Sequence, residues 1–556
     1  MQSIFSSATG VTLPVVKASQ ATYDSKATYI SLGYNRYSNS SGYSKNSALG
    51  TDGFTIARNG SSIYVLGEDY GTLYGVYGLM NDLVGYEFYY KDTKTVEDRT
   101  KLVLGLVKER TDIPDFENRA GGYGTMWSEN DVFNPNRWGV KIYTNYFASV
   151  NGGVFHNVFN YLPYATHSST HPKWYSDGTT DQQLCYTAHG DANEYSLMVK
   201  AVVEQLKTVA KNNPQKKYVS LSGLDNHGVC TCSTCSAKKT YYGSDAGAYI
   251  KFVNDVDKAF REWLNSQSEV CTDISINMTA YLKYLEAPTK HIDELIMRDG
   301  VSVTIAPIEA GYAHEFSASV KTIFNNWAKL TDNLGFWLYD RMFGYSLDGA
   351  ISGYFPYYSE NGMQARYQYL KSLGAKYVFC EGGSGAYGYQ TAFSVLKMYL
   401  NSQLAWDADA NVNSLISNFF ANMYGVGATH MRAYYDAVTT HMADMVSRGV
   451  TSAPYGNWAS KEYWDKATLL TFRTHIENAL SAISSLQSTN NTLYKKLHMH
   501  IVAERISVNY MLIKLYGSSI SNLETLKAEL KSDIIESGLQ SGTTSGEALY
   551  NSIIGQ

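Results

Sequence analysis

The chain has 556 residues, 44% of them hydrophobic and 17% charged, with a formal net charge of −5. That length exceeds what a single hydrophobic core fills and predicts about two to four domains, while the composition excludes extensive disorder. The slightly acidic balance supplies no basic field for phosphates, so no nucleic-acid partner is expected.

Six cysteines are too few for a disulfide scaffold. No run of roughly eighteen apolar residues occurs, so no membrane span is expected. The opening "MQSIFSSATG" lacks the basic and apolar parts of a signal peptide. An extracellular or cell-surface location is favoured, with Met1 standing where an export signal was, and a cytoplasmic one is the alternative. No pattern speaks to oligomeric state. The 47 tyrosines and nine tryptophans suit either a packed core or a surface that stacks on sugars.

Residues 1–112 read as a small α/β domain. Two alternating runs around "RNGSS" predict a hairpin. Leu73, Val76, Tyr77, Met80, Leu83 and Val84 then recur at helical spacing ahead of an aromatic strand.

Residues 113–406 alternate short apolar runs with amphipathic segments. The predicted strands are "ENRAGGY", "GGVFHNVF", "KKYVSLSG", "DISINMTAY", "VSVTIAPI", "LGFWLYD" and "AKYVFCEG". Strands separated by helices imply a parallel sheet, and seven or eight units in about 290 residues predict a TIM (β/α)8-type barrel. Arg119, His156, Asp225, Tyr281, Glu309, Asp340 and Glu381 each end or follow an apolar run, at the rim where such barrels keep their chemistry. Residues 407–556 are helical in period throughout and predict an all-α domain.

Several of these segments, taken in order, resemble one bacterial family. They are "GTLYGVYGLMNDLVGYEFY", "VFHNVFNYLP", "HPKWY", "QLCYT", "LDNHGVCTCSTC", "PIEAGYAH", "FWLYD", "YVFCEGG" and "YLNSQLAWD". The family is domain-of-unknown-function family 4838, which includes glycoside hydrolase family 163, endo-β-N-acetylglucosaminidases acting on complex N-glycans. The resemblance implies a small α/β domain ahead of a glycosidase-type barrel, similar to hexosaminidases and α-glucuronidases. It also implies a carbohydrate substrate, specifically a β-linked N-acetylhexosamine-containing glycan, and no cofactor.

Glycoside cleavage needs two carboxyl groups across the scissile bond. Glu381 is the first candidate, because the apolar run before it desolvates a carboxyl and the glycines after it allow close ligand approach. Glu309 and Asp225 are the candidate partners. Family 20 hexosaminidases carry an Asp-Glu pair at a point similar to Asp225. Here the neighbour is Asn226, whose amide delivers no proton, so an acetamide-orienting role for Asp225 stays open. Arg119, His156, Asn226, Tyr281, His314, Trp337 and Asp340 are the candidate substrate contacts. The competing reading is a non-catalytic glycan-binding or surface protein on the same barrel.

His227, Cys230, Cys232 and Cys235 supply four soft ligands, but within a single nine-residue span and without a second knuckle. The alternatives are a structural zinc and a local disulfide, with a third thiol free or paired to Cys185 or Cys271.

Overall fold

The computed structural model of the protein describes residues 1–21, 27–68, 70–122, 138–141, 146–176, 182–268, 270, 273–340, 360–382, 392–449, 460–539 and 545–554. Strands β1 (Ile30–Leu32), β2 (Phe54–Asn59) and β3 (Ser62–Gly67) come first, then a small hairpin of β4 (Glu87–Tyr90) and β5 (Thr93–Thr95), then β6 (Arg110–Asp112). The N-terminal sheet runs β1-β3-β2-β6. Asn59 pairs with Ser62, so Gly60 and Ser61 make the expected hairpin turn, and Gly60 takes the left-handed φ of +60° such turns need. Helix α1 (Gly71–Val84) lies on this sheet. A Cβ on Gly75 would sit 2.5 Å from Val65 Cγ1, so the missing side chain is what lets helix and sheet approach.

The central sheet contains β7 (Asn118–Gly121), β8 (Phe147–Ala148), β9 (Tyr218–Ser220), β10 (Ser275–Tyr281), β11 (Val301–Ala306), β12 (Leu334–Tyr339) and β13 (Tyr377–Glu381). Its order is β7-β13-β12-β11-β10-β9-β8, and every neighbouring pair is parallel. Lys141 and Tyr146 both reach its β7 edge. Lys141 bridges to Ala120 on β7, while β8 pairs with β9. Between them the Tyr146 hydroxyl accepts from the Arg119 N–H at 3.2 Å and donates to the Arg119 carbonyl at 3.0 Å. Lys141 and Tyr146–Ala148 therefore touch both edges of a sheet that has seven strands among the described residues, one fewer than an eightfold barrel.

The predicted strand "GGVFHNVF" is a correction. Its first residue, Gly152, ends a 3-10 turn, Val150–Gly152, and its last two begin a short helix, Val158–Tyr161. His156, in the middle of the segment, takes a φ of +56°, and Asn151 just before it one of +55°, which no strand accommodates. The backbone there bonds to the loop after β9 instead, with the Asn157 and Val158 N–H groups both on the Ser222 carbonyl.

Strand alternation sorts the side chains into two layers. Ala120, Phe147, Tyr218, Tyr377 and Phe379 form an inner cluster with Trp337 packed against it. Val219, Ile276, Met278, Val303, Ile305, Phe336, Leu338, Val378 and Cys380 belong to the outer core beneath the helices. Those helices include α2 (Ala192–Asn212), α3 (Ser233–Tyr242), α4 (Ala246–Leu264), α5 (Ala318–Ala328), α6 (Glu360–Ser372) and α7 (Ser394–Trp406). The described residues beyond α7 contain helices and no strand, as expected: α8 (Val412–Tyr424), α9 (Ala428–Ser447), α10 (Lys466–Ile483), α11 (Asn491–Tyr516), α12 (Leu523–Glu536) and α13 (Gly546–Ile554).

The C-terminal helices share one continuous hydrophobic cluster with the outer barrel. Glu504, buried on α11, accepts from the Phe393 N–H at 2.9 Å and so caps the start of α7. Ala392 and Phe393 hold left-handed φ of 53° and 55° there, a strained entry that the buried carboxylate helps to fix. No described helix is long and apolar enough to cross a membrane.

Candidate active site

Counting inner-face positions upward along each strand leads to the carboxyl-end mouth. On β13, Tyr377 and Phe379 are inside, so Glu381 is the next inward position, and it is half-buried at the rim. On β12, Trp337 shares that face with Tyr339, which pairs in register with Glu381. On β10, Thr279 and Tyr281 point the same way, and Tyr281 pairs with Ala306 at the end of β11.

A cavity of about 240 Å³ opens at this level, lined by Phe155, His156, Asp225, Thr279, Tyr281, Ala306, Ile308, Trp337, Tyr339 and Glu381. Residues from or just beyond six consecutive strands, β8 to β13, thus converge on one cleft. Two of the three candidate acids, Asp225 and Glu381, share it. The Trp337 indole N–H donates to Glu381 Oε2 at 2.9 Å. Trp337 is itself held edge-on by Phe379 at 4.5 Å and Phe155 at 4.7 Å between ring centroids. His156 Nδ1 lies 3.1 Å from the Gly223 carbonyl oxygen, and its ring tilts against Tyr281 at 5.6 Å.

Asp225 is exposed, at the head of a loop whose start is pinned by Gln183. The Gln183 amide accepts from the Leu224 N–H at 2.8 Å and donates to the Leu224 carbonyl at 3.0 Å. Asn226 belongs to this scaffold and not to the cavity lining: its Oδ1 accepts from Gly228 N–H at 2.8 Å and Gln183 Nε2 at 3.1 Å. Gln183 was not a sequence candidate, because nothing in "DQQLCYT" reveals a partner some forty residues on.

Four other candidates fall outside the lining. Glu309 follows β11 but is exposed, one residue beyond the lining residue Ile308. His314 contacts backbone, with Nδ1 on the Glu315 carbonyl at 2.5 Å and its own carbonyl taking Arg366 Nη1 at 2.5 Å. Asp340, one residue past the inward Tyr339, turns outward and is buried, accepting from Asn401 Nδ2 at 2.5 Å on α7. Its sequence neighbour Arg341 lies outside the described residues.

Arg119 is the clearest correction. It is fully buried and faces away from the barrel interior, because Ala120 occupies the inner face of β7. Its guanidinium bonds Asp52 Oδ2 at 2.6 Å, the Trp138 carbonyl at 3.1 Å and the Phe116 carbonyl at 2.7 Å, and lies over the Trp406 ring at 4.8 Å. It clamps the N-terminal sheet to the barrel.

The cysteine segment also departs from the expected set. Cys185, Cys230, Cys232 and Cys235 place their sulfurs within 4.8 Å of one another, and His227 is not among them. Cys271 lies outside the described residues.

Residues 88–436, more than half of the chain, match the domain of unknown function DUF4838. The chain belongs to the DUF4838 family. No curated protein matches it. Among solved structures, this DUF4838 protein is similar to a family GH115 4-O-methyl-α-glucuronidase with specificity for decorated arabinogalactans. The two are 12% identical over 94% of this chain and 72% of that one, with a TM-score of 0.51. It also matches a family 89 glycoside hydrolase from Clostridium perfringens in complex with PUGNAc, 10% identical over 87% of this chain and 61% of that one, TM-score 0.46. At such identity the GH115 likeness is one of fold, a glycosidase-like barrel with its flanking elements, and the site has to be argued from its own residues.

Proposed function

We propose that this DUF4838 protein is a glycoside hydrolase, with Asp225 and Glu381 as its carboxyl pair and a β-linked N-acetylhexosamine-containing glycan, of the complex N-glycan type, as its substrate class. The observation that carries the reading is the mouth cavity, where an acid at the end of β13 and one on the loop after β9 share a small cleft with the rings of Tyr281, Trp337 and Tyr339. Aromatic faces suit the C–H face of a sugar ring, and paired carboxyls suit cleavage of its glycosidic bond.

The roles follow from the hydrogen bonding. Glu381, its Oε2 positioned at the mouth by the Trp337 indole N–H, takes the nucleophile or base role. Asp225, at the open rim, delivers the proton to the departing oxygen. The glycan class rests on the family resemblance, and on a cleft whose His156 imidazole and Tyr281 hydroxyl provide polar contacts beside the rings.

The test is a substrate pair. Asp225→Asn loses turnover on glycans roughly 10³-fold but keeps most activity on aryl N-acetylhexosaminides, whose leaving groups depart without protonation. Equal loss on both substrates would remove Asp225 from the proton-donor role. Glycan binding by the wild-type chain without turnover of either substrate would favour the lectin-like alternative.

A further inference from the structure

The four-cysteine cluster has no part in the chemistry above, and its ligand set differs from anything the local sequence offers. Cys185 comes from the segment before α2, while Cys230, Cys232 and Cys235 lie on the loop after β9 and the first turn of α3. The ligands are thus drawn from two separated segments, the arrangement that structural metal sites use and that the single Cys-rich run lacked.

The geometry points to a metal centre. Cys185 Sγ lies 3.8 Å from Cys232 Sγ and 3.7 Å from Cys235 Sγ, and all four sulfurs fall within 4.8 Å of one another. A tetrahedron with Zn–S bonds of ~2.3 Å has S···S edges of about 3.8 Å. Cys185 and Cys230 are buried, and Cys232 and Cys235 are half-buried, so the site is closed.

The surroundings suit thiolate sulfur. The His189 N–H donates to Cys185 Sγ at 3.1 Å, and the Cys235 N–H points at Cys232 Sγ at 3.4 Å. Thr187 Oγ1 lies 3.1 Å from Cys235 Sγ. Ala188 and His189 hold left-handed φ of 45° and 55°, a strained turn that aims the His189 N–H at the sulfur. Backbone N–H···S bonds of this kind offset the charge of a tetrathiolate and orient its ligands.

We propose that Cys185, Cys230, Cys232 and Cys235 bind one structural zinc(II), and that the ion fixes the loop carrying Asp225. Gln183 grips Leu224 at the loop's start, and Cys230 enters the cluster with Cys185 at its end. Both ends of residues 224–230 are therefore tied to residues 183–185. Metal binding and glycan cleavage are separable claims: the zinc site stands or falls on metal content, whatever the catalytic result.

The experiment measures metal per chain by elemental analysis of the full-length protein, purified under reducing conditions without chelator. The expected result is about one zinc per chain, unchanged in His227→Ala and reduced at least tenfold in Cys185→Ser. Exchange of the wild-type ion for cobalt(II) should give the intense d–d bands and sulfur-to-cobalt charge transfer of a tetrahedral tetrathiolate, a readout that holds even if Cys185→Ser fails to fold. Metal-free protein, iron in place of zinc, weak octahedral cobalt bands, zinc loss in His227→Ala, or an intact mass showing these thiols oxidised to disulfides would each overturn the site.

Discussion

The two ends of the barrel carry cavities of nearly the same size, about 240 Å³ at the carboxyl end and about 250 Å³ at the amino end. Volume therefore does not locate the site, and the lining does. At the amino end Lys217 is bridged to Glu117, and Lys376 Nζ donates to Asn333 Oδ1 at 2.7 Å. The rings there pack on one another, with Phe147 stacked on Tyr218 at 5.1 Å and edge-on to Tyr377 at 5.2 Å. At the carboxyl end, Glu381 takes a neutral indole N–H and the rings line the cleft. At the amino end a lysine meets a carboxylate beside rings that pack on one another, whereas at the carboxyl end two acidic residues share one cleft with aromatic rings.

The largest break in this comparison is expected from matched substitutions at the two ends. Glu381→Gln should lower kcat roughly 10³-fold or more at unchanged thermal stability, while Glu117→Gln leaves kcat in place. Steady-state kinetics on one glycan substrate decides it, and equal effects at the two ends would erase the contrast. Trp337→Phe comes next. It keeps an aromatic face but removes the donor to Glu381, and loss of a hydrogen bond to a charged group costs about 1.5 kcal/mol, roughly tenfold in rate. That loss should appear in kcat with KM little changed; a rise in KM alone would make Trp337 a sugar platform and nothing more.

Behind the mouth, a buried charge set ties the site to the C-terminal helices. The Asp340 N–H donates to the Glu381 carbonyl at 2.7 Å, and Asp340 and Glu504 both act electrostatically on buried Lys397. Burial pushes the Glu504 carboxyl up to about 8 from 4.5, and pushes Lys397 down to about 8 from 10.5. A carboxyl with a raised folded pKa contributes stability in full below its unfolded value and loses it as pH rises through the folded one. Lys397 contributes above 10.5 and loses that contribution as pH falls through about 8, so the window from about 4.5 to 8 belongs to Glu504. Urea unfolding should show wild-type stability falling between those limits, and Glu504→Gln should flatten that slope. A slope that survives the substitution would place its origin elsewhere.

Much of this was legible from periodicity alone. The hairpin at Gly60, helix α1, six of the seven predicted barrel strands and the helical C-terminal region follow from spacing and turn chemistry. Strand ends also pointed to Glu381, Asp225, His156, Tyr281 and Trp337, all of which line the cleft. The misses have one cause each. Arg119 and Asp340 sit one residue out of phase with inward neighbours, Ala120 and Tyr339, and parity relative to Tyr377 and Phe379 would have turned both outward. "GGVFHNVF" has the apolar content of a strand, but tertiary bonds from Asn157 and Val158 to Ser222 override it. Cys185 and Gln183 act on residues some forty positions away, and no local pattern encodes such a contact.

The smallest effect is expected at the amino end itself. Lys217 and Glu117 are 40% and 46% exposed, so their attraction acts through water and is screened by salt. Exposed pairs of this kind contribute about 1 kcal/mol or less. Lys217→Met should therefore change unfolding free energy by no more than ~1 kcal/mol, with the change shrinking at high ionic strength and kcat unaltered. The same substitution removes the lysine partner of Glu117 and leaves a carboxylate beside the amino-end rings. If turnover or glycan affinity then responds, the amino end takes part in the site and the contrast between the two ends fails.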